Sequence, residues 1–275
     1  MNYRVLIFAI VIVSSVSCKH EPLETTPVAV ITPPPPLPML LKDIVIPNLP
    51  SPYYHFEYNA SGKLALASFA SDFFRFDVKR EGERITEMVN NVFANSNKLQ
   101  FVYDNAGRII LVNYFDMNGT IYRKVNLSYD GPKLIRMDRE VRFNNGFINN
   151  KTMTMSYYAD TNLFELKVHY PAIDGSSESN YTITYDQYDN KLNADDFMIL
   201  HNEFFEPLIF LPGVRLQKNN PGKETLSGTT SGYTVNYTYT YNDKNLPLDK
   251  KGDLTWTTGP DAGKKFQTSE FYSYY

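Results

Sequence analysis

From Tyr233 to Tyr241 every second residue is large: Tyr233, Val235, Tyr237, Tyr239 and Tyr241 share one side of an extended chain, and Thr234, Asn236, Thr238 and Thr240 share the other. Met153, Met155 and Tyr157 alternate in the same way with Thr152, Thr154 and Ser156. A period of two is the mark of a strand with one buried and one wetted face, as antiparallel sheets allow. The stretch from Phe101 to Phe115 predicts how such strands are joined. An apolar run reaches Tyr103, Asp104-Asn105-Ala106-Gly107 interrupts it, and a second run leaves through Arg108 and Ile109. Glycine takes positive φ without a steric cost and Asp or Asn bonds its own backbone, so the segment reads as a β-hairpin.

Variants of this turn recur after Tyr58, Lys79, Tyr129, Tyr158, Tyr185 and Tyr241. The tyrosines at 103, 129, 158 and 185 lie 26, 29 and 27 residues apart, and two further steps lead to 241. Between them lie other turns, Asp116-Met117-Asn118-Gly119, Asn144-Asn145-Gly146 and Asp174-Gly175-Ser176, which close the opposite ends of the strands. The unit is two strands and two turns, repeated. The prediction is therefore all-β: an antiparallel meander of hairpins forming one large twisted sheet, open or partly closed into a barrel-like shape. One segment breaks the pattern. Asn193 to Phe205 fits a short helix, with Asn193 as cap and Asp195 and Asp196 in the first turn, followed by an apolar loop to Gly213. Such an insertion, near 193–213, can plug one end of a curled sheet, and irregular segments on rigid sheets often carry function.

The N-terminus follows a different logic. Arg4 precedes an apolar run from Val5 to Val13 and then Ser14-Ser15-Val16-Ser17-Cys18, which describes an export signal. The run falls short of the roughly 20 residues a membrane-spanning helix needs. The segment resembles a bacterial lipoprotein signal, in which the thiol after a small residue receives the lipid; Ser17 fits that pattern and Ser15 and Val16 depart from it. Cys18 is the only cysteine, so the exported part has no internal disulfide. From Pro22 to Pro52, the run Pro33 to Pro36 with Pro27, Pro38, Pro47 and Pro50 favours an extended spacer. The expected organisation is a signal at 1–17, lipidated Cys18 with a tether over 18–52, and a hairpin domain over 53–275. Within the tether, Leu40-Leu41 and Ile44-Val45-Ile46 form either a first strand or a segment lying against the domain.

Composition narrows the function classes. The net charge is −3 with both signs interspersed, which argues against a nucleic-acid surface. Tyr 21 and Phe 18 enrich the chain in aromatics suited to β-structure. The turns resemble the YD-type (RHS-like) repeat, Tyr-Asp followed by a Gly-containing turn, a basic residue and an aliphatic one. Asp is replaced at Asn59, Ala159 and Asn242. With Leu216 to Pro221 and Tyr237 to Asn242, the chain is similar to a family of uncharacterised bacterial envelope lipoproteins built from such hairpins. That resemblance implies a large antiparallel sheet and no established activity.

Candidate chemistry is sparse. His201 with Asp195, Asp196, Glu203 and Glu206 has the atoms of a metal or acid–base site but no ligand spacing, and reads as a helix with a surface histidine. There is no Gly-x-Ser-x-Gly elbow and no phosphate-binding glycine loop. The expectation is a non-catalytic protein with no cofactor and no metal, held to the outer membrane of a cell envelope by its lipid. The candidate ligand-binding residues are Tyr233, Tyr237, Tyr239, Tyr241, Phe204 and Phe205, for a glycan or protein ligand; cross-strand packing is the plainer use of the tyrosine row. The alternative is a periplasmic carrier enclosing an apolar molecule on a dry concave face that includes Phe73, Phe143, Met155 and Leu200. A membrane-spanning barrel, drawn from the alternation and the aromatic C-terminus, ranks third.

Overall fold

The alternation becomes sixteen antiparallel strands that close on themselves. The computed structural model describes residues 40–92, 97–173, 175–204 and 211–275. The signal, Cys18 and most of the tether lie outside them. The strands are β1 (Leu41–Val45), β2 (Tyr54–Tyr58), β3 (Leu64–Phe69), β4 (Phe74–Glu81), β5 (Arg84–Asn90), β6 (Lys98–Tyr103), β7 (Ile109–Phe115) and β8 (Ile121–Asp130). They continue as β9 (Lys133–Phe143), β10 (Gly146–Tyr157), β11 (Leu163–Tyr170), β12 (Ser179–Asp186), β13 (Lys223–Gly228), β14 (Gly232–Tyr241), β15 (Pro247–Thr258) and β16 (Lys265–Tyr274). Each pairs with its neighbour in sequence, and β1 pairs with β16, with Ile44 opposite Tyr272. The sheet is thus fully closed, which removes both edges. β1 comes from the stretch assigned to the tether: past Pro38, Leu41 and Ile44 turn inward and supply the closing strand.

The barrel is apolar inside and polar outside. Inward positions carry Phe56, Phe76, Met88, Leu99, Val112, Val125, Met137, Met153, Leu166 and Ile183, all buried in one core. Outward positions carry charge ladders. Glu87 on β5 joins Lys79 on β4 at 3.3 Å and Lys98 on β6 at 2.8 Å. Arg136 reaches Asp138 at 2.6 Å, and Asp138 also accepts from Thr152 of β10 at 2.7 Å. The seam is tied outside by Asp43, which meets His55 at 2.6 Å and accepts from Ser273 at 3.0 Å. A membrane-spanning barrel has the opposite polarity, and each Lys or Arg facing lipid at mid-depth costs about 2–4 kcal/mol. Among the described residues no helix is long and apolar enough to cross a membrane.

The turns repeat in atomic detail. In Asp104 to Arg108, Asp104 N–H donates to the Arg108 carbonyl at 2.9 Å, Gly107 N–H to the Asp104 carbonyl at 3.1 Å, and Arg108 N–H to the Asp104 carboxylate at 2.9 Å. The same backbone pair recurs from Asn59, Asp116, Tyr158 and Asn242. The fourth residue of each has positive φ: Gly62, Gly107, Gly119, Thr161 and Asn245. Thr161 (φ 77) is the β-branched exception, and a Cβ there is strained. Thr161→Gly is expected to stabilise the fold by about 1 kcal/mol, read as a higher urea midpoint. At the rim of the Asp104 turn, tyrosine hydroxyls donate to main-chain carbonyls on the adjacent strand: Tyr103 to Ile85 at 2.7 Å, Tyr157 to Leu134 at 2.6 Å, Tyr188 to Leu163 at 2.7 Å and Tyr274 to Pro247 at 2.7 Å. The repeated tyrosine therefore buries a ring and ties neighbouring strands with its tip.

A barrel of 16 strands is wide enough to hold an aqueous channel. Here the connection from β12 to β13 runs into the lumen and carries helix α1 (Phe197–Phe204). The helix starts later than its sequence predicts. Asn193 bonds Asp195 N–H at 2.8 Å in a turn ahead of it, and both acids precede the first helical turn because each is held by a partner elsewhere. Asp196 accepts from Leu216 N–H at 2.8 Å; burial pushes its carboxyl up to about 6. Phe197 sets its ring edge-on to Tyr54 at 5.5 Å and Phe56 at 5.4 Å. The returning segment is pinned by Asn162, whose side-chain oxygen accepts from Lys218 and Asn219 N–H at 2.9 Å each.

Candidate functional site

Between this plug and the inner wall of β12 to β16 lies a cavity of about 240 Å³. β14 presents Tyr233, Val235, Tyr237 and Tyr239 to it, β13 Glu224, β15 Lys250 and Leu254, and β16 Thr268 and Glu270. The plug contributes Asn193, Asp195, Met198 and Gln217. The tyrosine row thus faces the lumen rather than an exposed platform. Its position depends on Gly252, opposite Tyr237 in the ladder. A Cβ there would lie 2.6 Å from Thr268 Oγ1, 2.8 Å from Val235 Cγ1 and 3.0 Å from Tyr237 Cε1. Only a glycine lets the ring lie flat against β15.

The polar groups are mutually bonded. Glu224 accepts from the Tyr233 hydroxyl at 2.7 Å and the Tyr237 hydroxyl at 3.0 Å. Tyr239 donates to the Pro221 carbonyl at 2.9 Å. Lys250 stands 3.3 Å from Glu270, 3.8 Å from Asp195 and 4.9 Å from the centre of the Tyr237 ring. Burial alone would depress this ammonium, but Glu270 and Asp195 outweigh it and hold the pKa above its usual value. The Tyr272 oxygen is 2.7 Å from both Asp195 Oδ2 and Glu270 Oε2. A phenol has one proton to give, so one of the two contacts needs a protonated carboxyl. Burial pushes Glu270 up to about 7 and makes it the proton holder.

That proton has a thermodynamic consequence. The Glu270 carboxyl is raised in the fold from 4.5 to about 7, so its stabilising contribution is complete below pH 4.5 and is lost as pH rises through 7. Asp196, raised to about 6, acts in the same direction. Glu270→Gln is expected to flatten the fall of melting temperature between pH 4.5 and 7 relative to the unaltered protein. An unchanged slope would remove Glu270 as the titrating group.

Not every sequence-derived candidate meets here. Tyr233, Tyr237 and Tyr239 line the cavity; Tyr241 lies beyond it at the rim, hydrogen-bonded to Asp189. The side chains of Phe204 and His201, and all of Phe205, fall outside the described residues. Among the described residues no three His, Cys, Asp or Glu side chains stand close enough to hold a metal ion. The concave face drawn for an apolar carrier does not assemble, because Met155 and Leu200 are packed into the core while Phe73 and Phe143 are exposed at strand ends. Sequence reading missed Lys250, Glu224 and Glu270. Their signal was register: Lys250 shares its face with Leu254 and Trp256, so it points inward.

The fold defines a closed all-β barrel of sixteen strands with a filled lumen. It is similar to a porin-like protein from Bacteroides uniformis, with TM-score 0.56 and 14% identity over 81% of this chain and 89% of that one. It is also similar to a porin-like protein from Bacteroides vulgatus, with TM-score 0.57 and 15% identity over 86% of this chain and 99% of that one. At such identities the likeness concerns the fold alone. No family model and no curated protein matches the chain.

Proposed function

We propose that the chain is a lipid-anchored, non-catalytic protein of the cell envelope that binds a small glycan in the cavity behind β14. The carrying observation is the convergence of Tyr233, Tyr237 and Tyr239 with Glu224, Asp195 and Lys250 around one lumenal space. Aromatic faces pack against the C–H face of a sugar ring, and carboxylates accept from its hydroxyls. At about 240 Å³ the space is smaller than the roughly 300–1,000 Å³ of drug-sized sites, which suits one or two sugar rings. The charged outer wall supports a barrel standing in water, and Cys18 after an apolar run supports the anchor; the porin-like neighbours agree with an envelope setting.

Trp256, the only tryptophan, meets Tyr233 edge-on at 5.4 Å and reports on the cavity. Titration of the full chain with neutral and amino mono- and disaccharides is expected to shift its emission, and Glu224→Gln to abolish the shift. A flat response to every sugar, with none detected by calorimetry, would refute the glycan reading. Labelling in cells with an alkyne-bearing palmitate analogue is expected to mark the protein and to fail for Cys18→Ala; equal labelling of both would refute the anchor.

A further inference from the structure

The cavity behind β14 is a pit with a closed base. Its deep end carries Tyr239, Lys250 and Glu270, which stand opposite one another across β14, β15 and β16. The plug shuts that end: Asn193, Asp195 and Gln217 line the cavity and are buried. Asn193 donates to the Gln217 side-chain oxygen at 3.2 Å, and Gln217 donates to the Tyr188 hydroxyl at 2.9 Å. From this base the inward face climbs toward the β15–β16 hairpin, through Lys250, Gly252, Leu254 and Trp256 on β15 and Glu270, Thr268 and Phe266 on β16. Leu254 and Thr268 still line the cavity, and Phe266, directly opposite Leu254, is the next step outward. Directly opposite residues and residues two apart share a face of the sheet, so Phe266 is on the lumenal side. It is nonetheless 50% exposed. Trp256 lies diagonally from it, at the roughly 7–8 Å such neighbours keep, and is half-buried against Tyr233.

We propose that the cavity takes the terminal unit of a linear oligosaccharide, and that the following units lie on a shelf formed by Phe266 and Trp256 at its mouth. The inference rests on the glycan reading above and specifies the ligand of that same site. The closed base carries the first half. A chain cannot thread past the plug, so only an end reaches Lys250 and Glu270. The shelf carries the second half. The space of about 240 Å³ suits one or two rings, and a longer chain leaves it past Leu254, onto Phe266 and Trp256. Neither of these rings packs into the barrel's core. On the outer face of β16 the neighbours of Phe266 are Lys265 and Gln267, and Gln267 donates to Asp253 at 3.0 Å, so the aromatic position belongs to the lumen. Aromatic faces that water reaches at the mouth of a polar pit are the surface against which the C–H face of a sugar packs.

The test is calorimetric titration of the full chain with glucose, maltose and maltotriose, and with N-acetylglucosamine and its linear dimer and trimer. In the series that binds, the trimer is expected to bind about tenfold or more tighter than the monomer. Cyclodextrin, a ring of glucose units with no end to insert, is expected to bind no tighter than glucose. Phe266→Ser, at an exposed position, is expected to weaken the trimer by about tenfold and leave the monomer unchanged, while Phe266→Tyr, which keeps a ring, retains the trimer. Equal affinity for monomer and trimer, cyclodextrin binding as tightly as the trimer, or a trimer indifferent to Phe266→Ser would overturn the inference and leave the glycan reading standing. No binding at any length, together with a flat Trp256 emission for every sugar, would remove the glycan reading itself and this inference with it.

Discussion

At pH 8, above the range in which Glu270 takes up its proton, Lys250→Met is expected to destabilise the barrel by about 3–5 kcal/mol, because it strands Glu270 and Asp195 in the lumen without their cation. The three side chains are 17%, 15% and 8% exposed, so water screens them little. Lys250 also packs its ammonium over Tyr237, a contact methionine keeps only as dispersion. The double variant Lys250→Met/Glu270→Leu is expected to recover much of the loss, since it removes one of the two uncompensated carboxyls and leaves Asp195 the Tyr272 hydroxyl. Urea denaturation of both variants checks the pair. If Lys250→Met unfolds at the native midpoint, the lumenal cluster is not a charged network.

Phe197→Ala is expected to cost about 3–5 kcal/mol, the usual range for emptying a buried aromatic site. The location of the effect matters more than its size. Phe197 touches Tyr54 and Phe56 on the strand beside the seam, while Met198, Leu200, Leu211 and Leu216 bury the rest of the plug's apolar side and Asn162 and Asp196 tie its returning segment. Truncation therefore loosens the plug before the wall. Hydrogen exchange should show faster amides over 187–222 with the strands β6 to β10 still protected. Uniform loss of protection would mean that wall and plug unfold as one unit.

The strands and their turns were legible because both are local. Alternation over Tyr233 to Tyr241 and the Asp104 to Gly107 turn need only neighbouring residues, and both formed as their residue types dictate. Closure was not legible. It joins Leu41–Val45 to the last strand across almost the whole chain, and no local pattern says that Ile44 will meet Tyr272. Nor did periodicity say which way β15 faces. Lys250-Lys251-Gly252-Asp253 looks like a solvated run, and only the pairing of Lys250 with Tyr239 turns the ammonium into the lumen. The site was half visible for the same reason: the tyrosine row announced itself, while the Lys250, Glu224 and Glu270 side chains that give it chemistry resembled ordinary surface charges. The helix began later than its sequence suggests because Asp195 and Asp196 serve Tyr272 and Leu216 instead of capping the first turn.

The central claim is that this barrel carries its apolar face inward and its charges outward. The direct measurement is to produce residues 39–275, the unit that holds every strand, in buffer without detergent or lipid, and to record near-ultraviolet circular dichroism with urea unfolding. The account predicts a fixed aromatic signal and a cooperative transition in water alone. Aggregation in buffer, with folding restored only by micelles or bilayers, would contradict it and return the chain to the membrane-spanning class.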